Sequence, residues 1–302
     1  MVTHIISCHV NASFLKLQYL SLQKYFEGGF HFHVFDDSRA TAHPCSYNEL
    51  HTKQIQAICD KYNIQYHRIP PDIHTHRNTI FLECGPTKSD HPVARCAAAT
   101  QYAFNTIVSS EQNGYCMILD SDMFLIQPLC LEQKMAGRHI LGVPQSRGGI
   151  SYLWNGLFAC NLNKCLHLET FNWEASRVYI LDECGNKTTH FKGCDVGGHN
   201  YYYLARNGYF KHNRKYLLTT SAHMVGKMST LADHSAIPAP CRKLLQEFAD
   251  MPSPPSPSHQ YVNKEFLLDY CILHIRGGGG WCYHKKAYHE ECVRIISKFI
   301  NV

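Results

Sequence analysis

The chain has 302 residues, 45% hydrophobic and 12% aromatic, which is ordinary globular composition and enough length for a sizeable core. Against 24 Asp and Glu stand 29 Lys and Arg, a formal charge of +5 with the 21 histidines neutral; that suits anionic partners such as phosphates, but no basic block of the nucleic-acid type occurs, so no nucleic-acid partner is expected. The 15 cysteines are odd in number and irregular in spacing, no secretory signal precedes the first strand, and no stretch approaches the roughly 18 apolar residues of a membrane span, so a soluble, reducing, cytoplasmic setting is expected. A trimmed anchor would leave no trace in this sequence.

In chain order, Thr3–Cys8 reads as a first strand closed by the polar turn His9-Val10-Asn11. From Ala12 to Phe26 the apolar residues Phe14, Leu17, Leu20 and Leu22 recur near helical spacing, and Gly28-Gly29 stops the helix. Phe30–Phe35 alternates with His31 and His33 as a second strand that ends at Asp36-Asp37. Glu49–Tyr62 reads as a helix, Ile64–Ile69 as a third strand, and the alanine-rich His91–Val108 as a helix with Ser89 or Asp90 placed to cap it.

The next strand carries the feature on which the reading turns. Tyr115–Leu129 is an apolar run broken once, by Asp120-Ser121-Asp122, before apolar residues resume. Such a run reads as a strand buried on both faces. Side chains two apart on extended backbone point the same way, so the two carboxylates converge. Bare carboxylates at an apolar edge repel each other and resist desolvation, and a divalent cation such as Mn²⁺ or Mg²⁺ relieves both conflicts. An acidic turn after a strand gives the same letters; the flanking apolar run favours the cation.

Strand and helix thus alternate four times before Leu129, the pattern of an α/β sandwich with a mainly parallel sheet. Ligands of such sheets bind beyond the C-terminal strand edges, here carrying His9, Asn11, Asp36, Asp37, Asp120 and Asp122. No Gly-x-Gly-x-x-Gly follows the first strand and no Gly-x-x-x-x-Gly-Lys-Ser/Thr occurs, which disfavours a dinucleotide dehydrogenase and a P-loop NTPase.

In the second half, His139–Val143 and Tyr152–Asn161 read as strands, Glu169–Leu181 as a helix, and Cys194-Asp-Val-Gly-Gly-His-Asn200 as the opening of another. Thr219–Gln260 reads mostly as loop, with a helix near Arg242–Ala249 and a Pro/Ser-rich stretch at Met251–Ser258. Leu268–Ile275 reads as a strand bearing His274, followed by Arg276, four glycines and Trp281, a loop able to cradle a phosphate. Cys282, His284, His289 and Cys292 match no strong zinc spacing, and a surface cluster beside a C-terminal helix is expected.

With these residues in place the chain resembles the GT-A fold glycosyltransferases that use nucleotide-sugar donors, nearest to the retaining group of glycogenin and the lipopolysaccharide galactosyltransferases. Thr3–Phe26 looks like that family's opening strand and helix, Leu119-Asp-Ser-Asp122 like its Asp-x-Asp motif, and Trp154-Asn-Gly-Leu-Phe-Ala-Cys-Asn161 like its Phe-Asn-Ser-Gly-type strand. Leu273-His-Ile-Arg-Gly277 with Trp281 is similar to the C-terminal His-x-x-Gly-x-x-Lys-Pro-Trp loop, and Asp195 stands in place of the Asp-Gln pair. The chain departs from the pattern at Val196, in the missing Lys-Pro pair, and in a Trp one residue early, so Arg276, Lys285 or Lys286 must replace the phosphate-binding lysine.

The resemblance implies one GT-A-like domain over residues 1–302, a Rossmann-type α/β/α sandwich with a mixed, mainly parallel sheet. Residues 1–130 would form the nucleotide-binding half, and 131–302 the acceptor-binding half with the C-terminal metal and diphosphate loop. It implies transfer of a sugar from a UDP-sugar or similar donor to a glycan, glycoprotein or glycolipid, with retention expected in the absence of a marked carboxylate base. Asp120, Asp122 and His274 would hold Mn²⁺ or Mg²⁺. His9, Val10, Asn11, Asp37, Arg95, Ser121, Arg276, Gly277 and Trp281 would bind the donor, and Asn155 and Asp195 would act at the transferred sugar. For Arg95 a surface ion pair is the competing reading. An inverting GT-A enzyme, a sugar-1-phosphate nucleotidyltransferase and a non-catalytic carbohydrate-binding relative are the alternatives; the second lacks its Gly-rich loop at His9–Phe14, and the third would be expected to lose metal ligands that are present here.

Overall fold

The computed structural model describes residues 1–38, 48–75, 92–147, 149–211, 213–220, 223–224, 238–249, 264–275 and 286–301. Its elements are β1 Thr3–His9, α1 Leu15–Tyr25, β2 Phe30–Asp36, α2 Glu49–Tyr62, β3 Gln65–Arg68, α3 Asp72–Thr75, α4 Pro92–Ser110, β4 Tyr115–Leu119, β5 Met123–Leu125, α5 Leu131–Met135, β6 Ile140–Arg147 and β7 Ile150–Asn161. There follow β8 Ser176–Leu181, β9 Lys187–Cys194, α6 Asn200–Arg206, β10 Leu217–Thr219, β11 His223–Met224, α7 Ala239–Ala249, β12 Lys264–Leu267, β13 Ile272–Ile275 and α8 Lys286–Ile300. They fall into two compact units, each assembled from separate chain segments: 1–9, 28–120 and 135–219 in the first, 10–27, 121–134 and 220–302 in the second.

The first unit is built on a seven-stranded sheet in the order β10-β6-β7-β4-β1-β2-β3. β4, β1, β2 and β3 run parallel, β10 runs parallel to β6, and β7 is antiparallel to both β4 and β6. The α/β sandwich with a mixed, mainly parallel sheet expected from the sequence is therefore present. β4 is buried along its whole length, which is why it reads as an unbroken apolar run rather than an alternating one; β1 is nearly as buried but carries Thr3, His4, Ser7 and His9 among its apolar residues. α2 is capped by the Asn48 side chain, which accepts from the His51 N–H at 3.3 Å, and ends on Asn63 in the left-handed region, φ 53°. α4 begins at Pro92, a residue whose fixed φ and missing N–H suit a first helical turn. Phe104, Phe158, Phe171 and Trp173 centre the core, with Trp173 edge-on to Phe104 and Phe158 at ring-centroid distances of 5.9 and 4.9 Å.

One expectation fails in this unit. Glu169–Leu181 is not a helix: a 3₁₀ turn at Leu168–Thr170 leads through buried Phe171 and Trp173 into β8, which pairs antiparallel with β9. The run Arg177-Val-Tyr-Ile-Leu181 is β-branched and aromatic, and Asp182 closes the hairpin by accepting the N–H groups of Cys184 and Asn186 at 2.9 and 2.8 Å.

The second unit holds a four-stranded antiparallel sheet, β11-β12-β13-β5, whose apolar core gathers Phe14, Leu17, Phe124, Phe266, Leu273 and Ile296 among others. α1 is stitched to β5 by two buried polar side chains: Gln18 Nε2 donates to the Met123 carbonyl at 3.1 Å and Ser21 Oγ accepts the Leu125 N–H at 3.1 Å. Lys24 Nζ donates to the carbonyl of Ile300, tying α1 to the far end of α8. The strand expected over Leu268–Ile275 starts only at Ile272. Leu268, Asp269 and Tyr270 are all left-handed, φ 51°, 53° and 66°, and form the turn between β12 and β13. That turn is held by Thr220 Oγ1, which accepts the Leu268 N–H, and by Lys134, which donates to Asp269. Among the described residues no helix is long and apolar enough to cross a membrane.

Candidate active site

In the second unit, His274 lies on β13 directly opposite Glu265 on β12, and Asp122 precedes β5 on the other side of β13. His274 Nδ1 is 3.0 Å from Glu265 Oε2 and its Nε2 is 3.3 Å from Asp122 Oδ1, with all three residues 3–6% exposed. The Ile275 N–H donates to the Asp122 carbonyl at 3.0 Å, which fixes the backbone under the carboxylate. An imidazole whose Nδ1–H points at a carboxylate turns the lone pair of Nε2 the other way, here onto a second carboxylate oxygen. Two electron-rich atoms so placed repel unless a cation or a proton lies between them. The donor set, one imidazole nitrogen and a carboxylate oxygen with a carboxylate behind the imidazole, fits Mn²⁺ or Mg²⁺. Glu265 was not singled out from sequence. Its signal was strand register, since only the hairpin makes a residue nine positions earlier the neighbour of His274.

Val10, Asn11 and Ser121 also belong to the second unit. Val10 is 39% exposed, and Asn11 Oδ1 accepts the Ser13 N–H at 3.0 Å, an Asx turn that leads into α1.

In the first unit, three neighbouring parallel strands end in polar residues at one rim: β1 in His9, β2 in Asp36 with Asp37, and β4 in Leu119 followed by Asp120. His9 is buried, and its carbonyl accepts the Asp37 N–H at 2.8 Å. The Asp37 carboxylate is buried too, with His74 Nε2 at 2.7 Å from Oδ1 and an Arg95 guanidinium nitrogen at 3.9 Å from Oδ2. Arg95 therefore forms an ion pair, but with a buried rim carboxylate rather than at the surface. His74, on the short α3, was not foreseen, because nothing in Asp72-Ile-His-Thr marks a partner for a residue 37 positions earlier.

Asp120 is joined to β7 through its N–H, which donates to the Gly156 carbonyl at 2.9 Å. Beside that bond Asn155 is buried, its Nδ2 donating to Thr100 Oγ1 and to Cys96 Sγ, each at 3.3 Å. Burial first and the Asp120 carboxylate next push the Cys96 thiol up to about 12, and Cys8 is raised as well, by burial, Cys96, Asp37 and Asp120. Both thiols are thus neutral, and two carboxylates bear on them. Cys96 is a further site neighbour that the sequence did not flag, since a cysteine in an alanine-rich helix reads as a small hydrophobe.

Asp195 sits in the turn before α6. Its N–H donates to the Tyr152 hydroxyl at 3.2 Å, its Oδ1 accepts the Val196 N–H, and Oδ2 is 3.8 Å from Arg147. Gly197 makes the turn possible: its φ is +94°, and a Cβ there would lie 2.2 Å from the Leu153 carbonyl oxygen. Asn200 then brackets β7, donating to the Leu153 carbonyl at 2.8 Å and accepting the Leu153 N–H at 3.0 Å.

Arg276, Gly277 and Trp281 lie outside the described residues, as do Cys282, His284, Lys285, the Pro/Ser-rich stretch and most of the loop from Thr219 to Gln260. Of the C-terminal His/Cys group, His289 packs against Phe14 with ring centroids 4.4 Å apart and Cys292 is buried, so these two belong to the apolar face of α8.

No protein-family model matches the sequence, and no curated protein matches it. Among solved structures the chain is similar to the galactosyltransferase LgtC in complex with donor and acceptor sugar analogues, at 12% identity and a TM-score of 0.44, over 100% of this chain and 95% of that one. It is similar to an active-site mutant of LgtC at 12% identity and a TM-score of 0.44, over 99% and 96%. A third likeness is to the bifunctional glycosyltransferase WbbM, at 11% identity and a TM-score of 0.35, over 56% of this chain and 33% of that one. Similarity at this level leaves every residue role to be argued from this chain's own side chains.

Proposed function

We propose that the chain is a metal-dependent glycosyltransferase of the GT-A type. It moves a sugar from a nucleotide-sugar donor, a UDP-sugar, to a hydroxyl of a glycan, glycoprotein or glycolipid, with retention at the anomeric carbon and with residues 1–302 acting as one catalytic domain. The observation that carries the reading is the buried line Glu265–His274–Asp122, a ligand pair oriented from behind. Asp120, one residue before Ser121 and at the end of β4, supplies the second carboxylate of the Asp-x-Asp pattern. The rim of His9, Asp37 and Asp120 supports the same conclusion, because α/β sheets take their ligands at C-terminal strand ends.

His274 and Asp122 would hold the cation, Mn²⁺ or Mg²⁺, which when bound would supply positive charge to a nucleoside diphosphate leaving group, and Glu265 would keep the imidazole in its ligating orientation. His9, Val10, Asn11 and Asp37 meet the base and ribose, Arg95 approaches the phosphates from its pairing with Asp37, and Ser121, Arg276, Gly277 and Trp281 complete the donor site. Asn155 and Asp195 take the hydroxyls of the transferred sugar. Buried hydrogen-bonding groups such as Asn155 distinguish one hydroxyl pattern from another.

A thermal-shift panel of nucleotides and nucleotide sugars, with and without Mn²⁺, tests the reading. Stabilisation by uridine diphosphate compounds only with the metal is expected. A panel in which no nucleotide gives a metal-dependent shift overturns it.

A further inference from the structure

Three histidines that the proposed reaction does not use converge at the opposite ends of the same strands. His4 is the second residue of β1 and His31 the second of β2, and the two are direct partners in the parallel ladder. His33, two residues on, shares the face of His31. His4 Nδ1 and His33 Nε2 are 3.2 Å apart, and one nitrogen from each of the three rings lies within 4.8 Å of the others. His4 and His33 are buried, whereas His31 is exposed and leaves one side open to solvent. The group stands five residues along β1 from His9, about 16 Å at ~3.3 Å per residue, well away from the Asp37 and Asp120 rim.

We propose that His4, His31 and His33 form a binding site for a borderline divalent transition metal, zinc first, with water in the fourth position. A tetrahedral Zn²⁺ with Zn–N bonds of about 2.0–2.1 Å puts two ligand nitrogens about 3.3 Å apart, close to the His4–His33 separation. Three imidazoles suit zinc, copper or nickel, in contrast to the oxygen-rich Asp-x-Asp site. The outer nitrogens are also provided for. His4 Nε2 is 3.6 Å from Glu111 Oε2 at the end of α4, and His33 Nδ1 is 3.2 Å from His67 Nε2 on β3. A carboxylate or an acceptor behind a ligating imidazole is the usual support of such sites, fixing tautomer and ring orientation. Bound there, the ion clasps β1 to β2 at the start of the parallel sheet.

The test uses the full chain stripped with chelator and titrated with Co²⁺, then Zn²⁺. The wild type is expected to develop the visible d–d bands of tetrahedral Co²⁺ with nitrogen ligands, bleached by one equivalent of Zn²⁺. His31→Gln, at an exposed ring where no core packing is lost, abolishes the bands. Glu111→Gln weakens Zn²⁺ binding about tenfold, at the lower end for a supporting group. His274→Ala leaves the bands in place, which separates this site from the proposed catalytic one whether or not that one binds metal. The inference is overturned if the wild type gives no tetrahedral bands, the three rings then being a hydrogen-bonded histidine chain only. It is equally overturned if the bands survive His31→Gln or are lost only in His274→Ala.

Discussion

Glu265 and His274 face each other across β12 and β13, carboxylate oxygen to Nδ1 at 3.0 Å. The pair fixes the orientation of the His274 ring, and in the proposed metal site it would make His274 a directed ligand. Glu265→Gln keeps the shape and removes the charge, so metal affinity is expected to fall about 10-fold, and Glu265→Ala takes it towards ~100-fold. Calorimetric titration of Mn²⁺ in the presence of uridine diphosphate measures this, with circular dichroism confirming that the fold is kept.

Removing the ligands themselves has a sharper signature. Asp122→Asn and His274→Ala are each expected to abolish the metal-dependent part of the nucleotide shift while the apo protein stays folded. Wild-type metal dependence in either variant contradicts the assignment of that residue.

The Asp37–His74 contact bears on stability as well as on the proposed donor binding. Both side chains are 3–5% exposed, so solvent screening gives no discount. His74→Leu leaves the carboxylate buried with Arg95 at 3.9 Å, and losing a hydrogen bond to a charged group costs about 1.5–3 kcal/mol. Urea unfolding should show the midpoint fall with the slope unchanged.

Asn155 and Asp195 are expected to act on turnover. Asn155→Ala should lower kcat/KM by about 5- to 150-fold, the equivalent of 1–3 kcal/mol for one enclosed hydrogen-bonding group. Asp195→Asn should lower kcat with the nucleotide-dependent thermal shift unchanged. Donor binding lost in parallel with kcat would place Asp195 in the nucleotide site instead.

The thiols give a chemical check on the rim. Cys96 is held at about 12 by burial and then by Asp120, whereas Cys184 is exposed in the β8–β9 turn. At pH 8, alkylation mapped by mass spectrometry should label Cys184 first among the described cysteines and leave Cys96 unmodified until the protein unfolds.

Much of this architecture could be read from the residues alone, and the failures share one cause. β4 announces itself because a strand buried on both faces is a continuous apolar run, β2 shows in its alternation of Phe with His, and Asp120-Ser-Asp122 is conspicuous because it breaks the apolar run. Glu174 and Ala175 make Glu169–Leu181 look helical by composition, and only pairing with β9 reveals the extended form of Arg177–Leu181. Glu265, His74 and Cys96 escaped notice for the related reason that each matters through a neighbour 9, 37 or 59 positions away. The left-handed turn at Leu268–Tyr270 is built from three non-glycine residues, so the glycine that usually marks positive φ is missing there.

The bond from Lys24 to the Ile300 carbonyl, with Phe14, Leu17 and Ile296 in one apolar cluster, sets an order of assembly. α1 is synthesised some 270 residues before the α8 surface that packs against it. Until α8 arrives, an apolar helix face waits uncovered, and the second unit closes only when its most distant segments meet. A chain cut before Lys286 should therefore need a chaperone to stay in solution even with its whole seven-stranded sheet already formed.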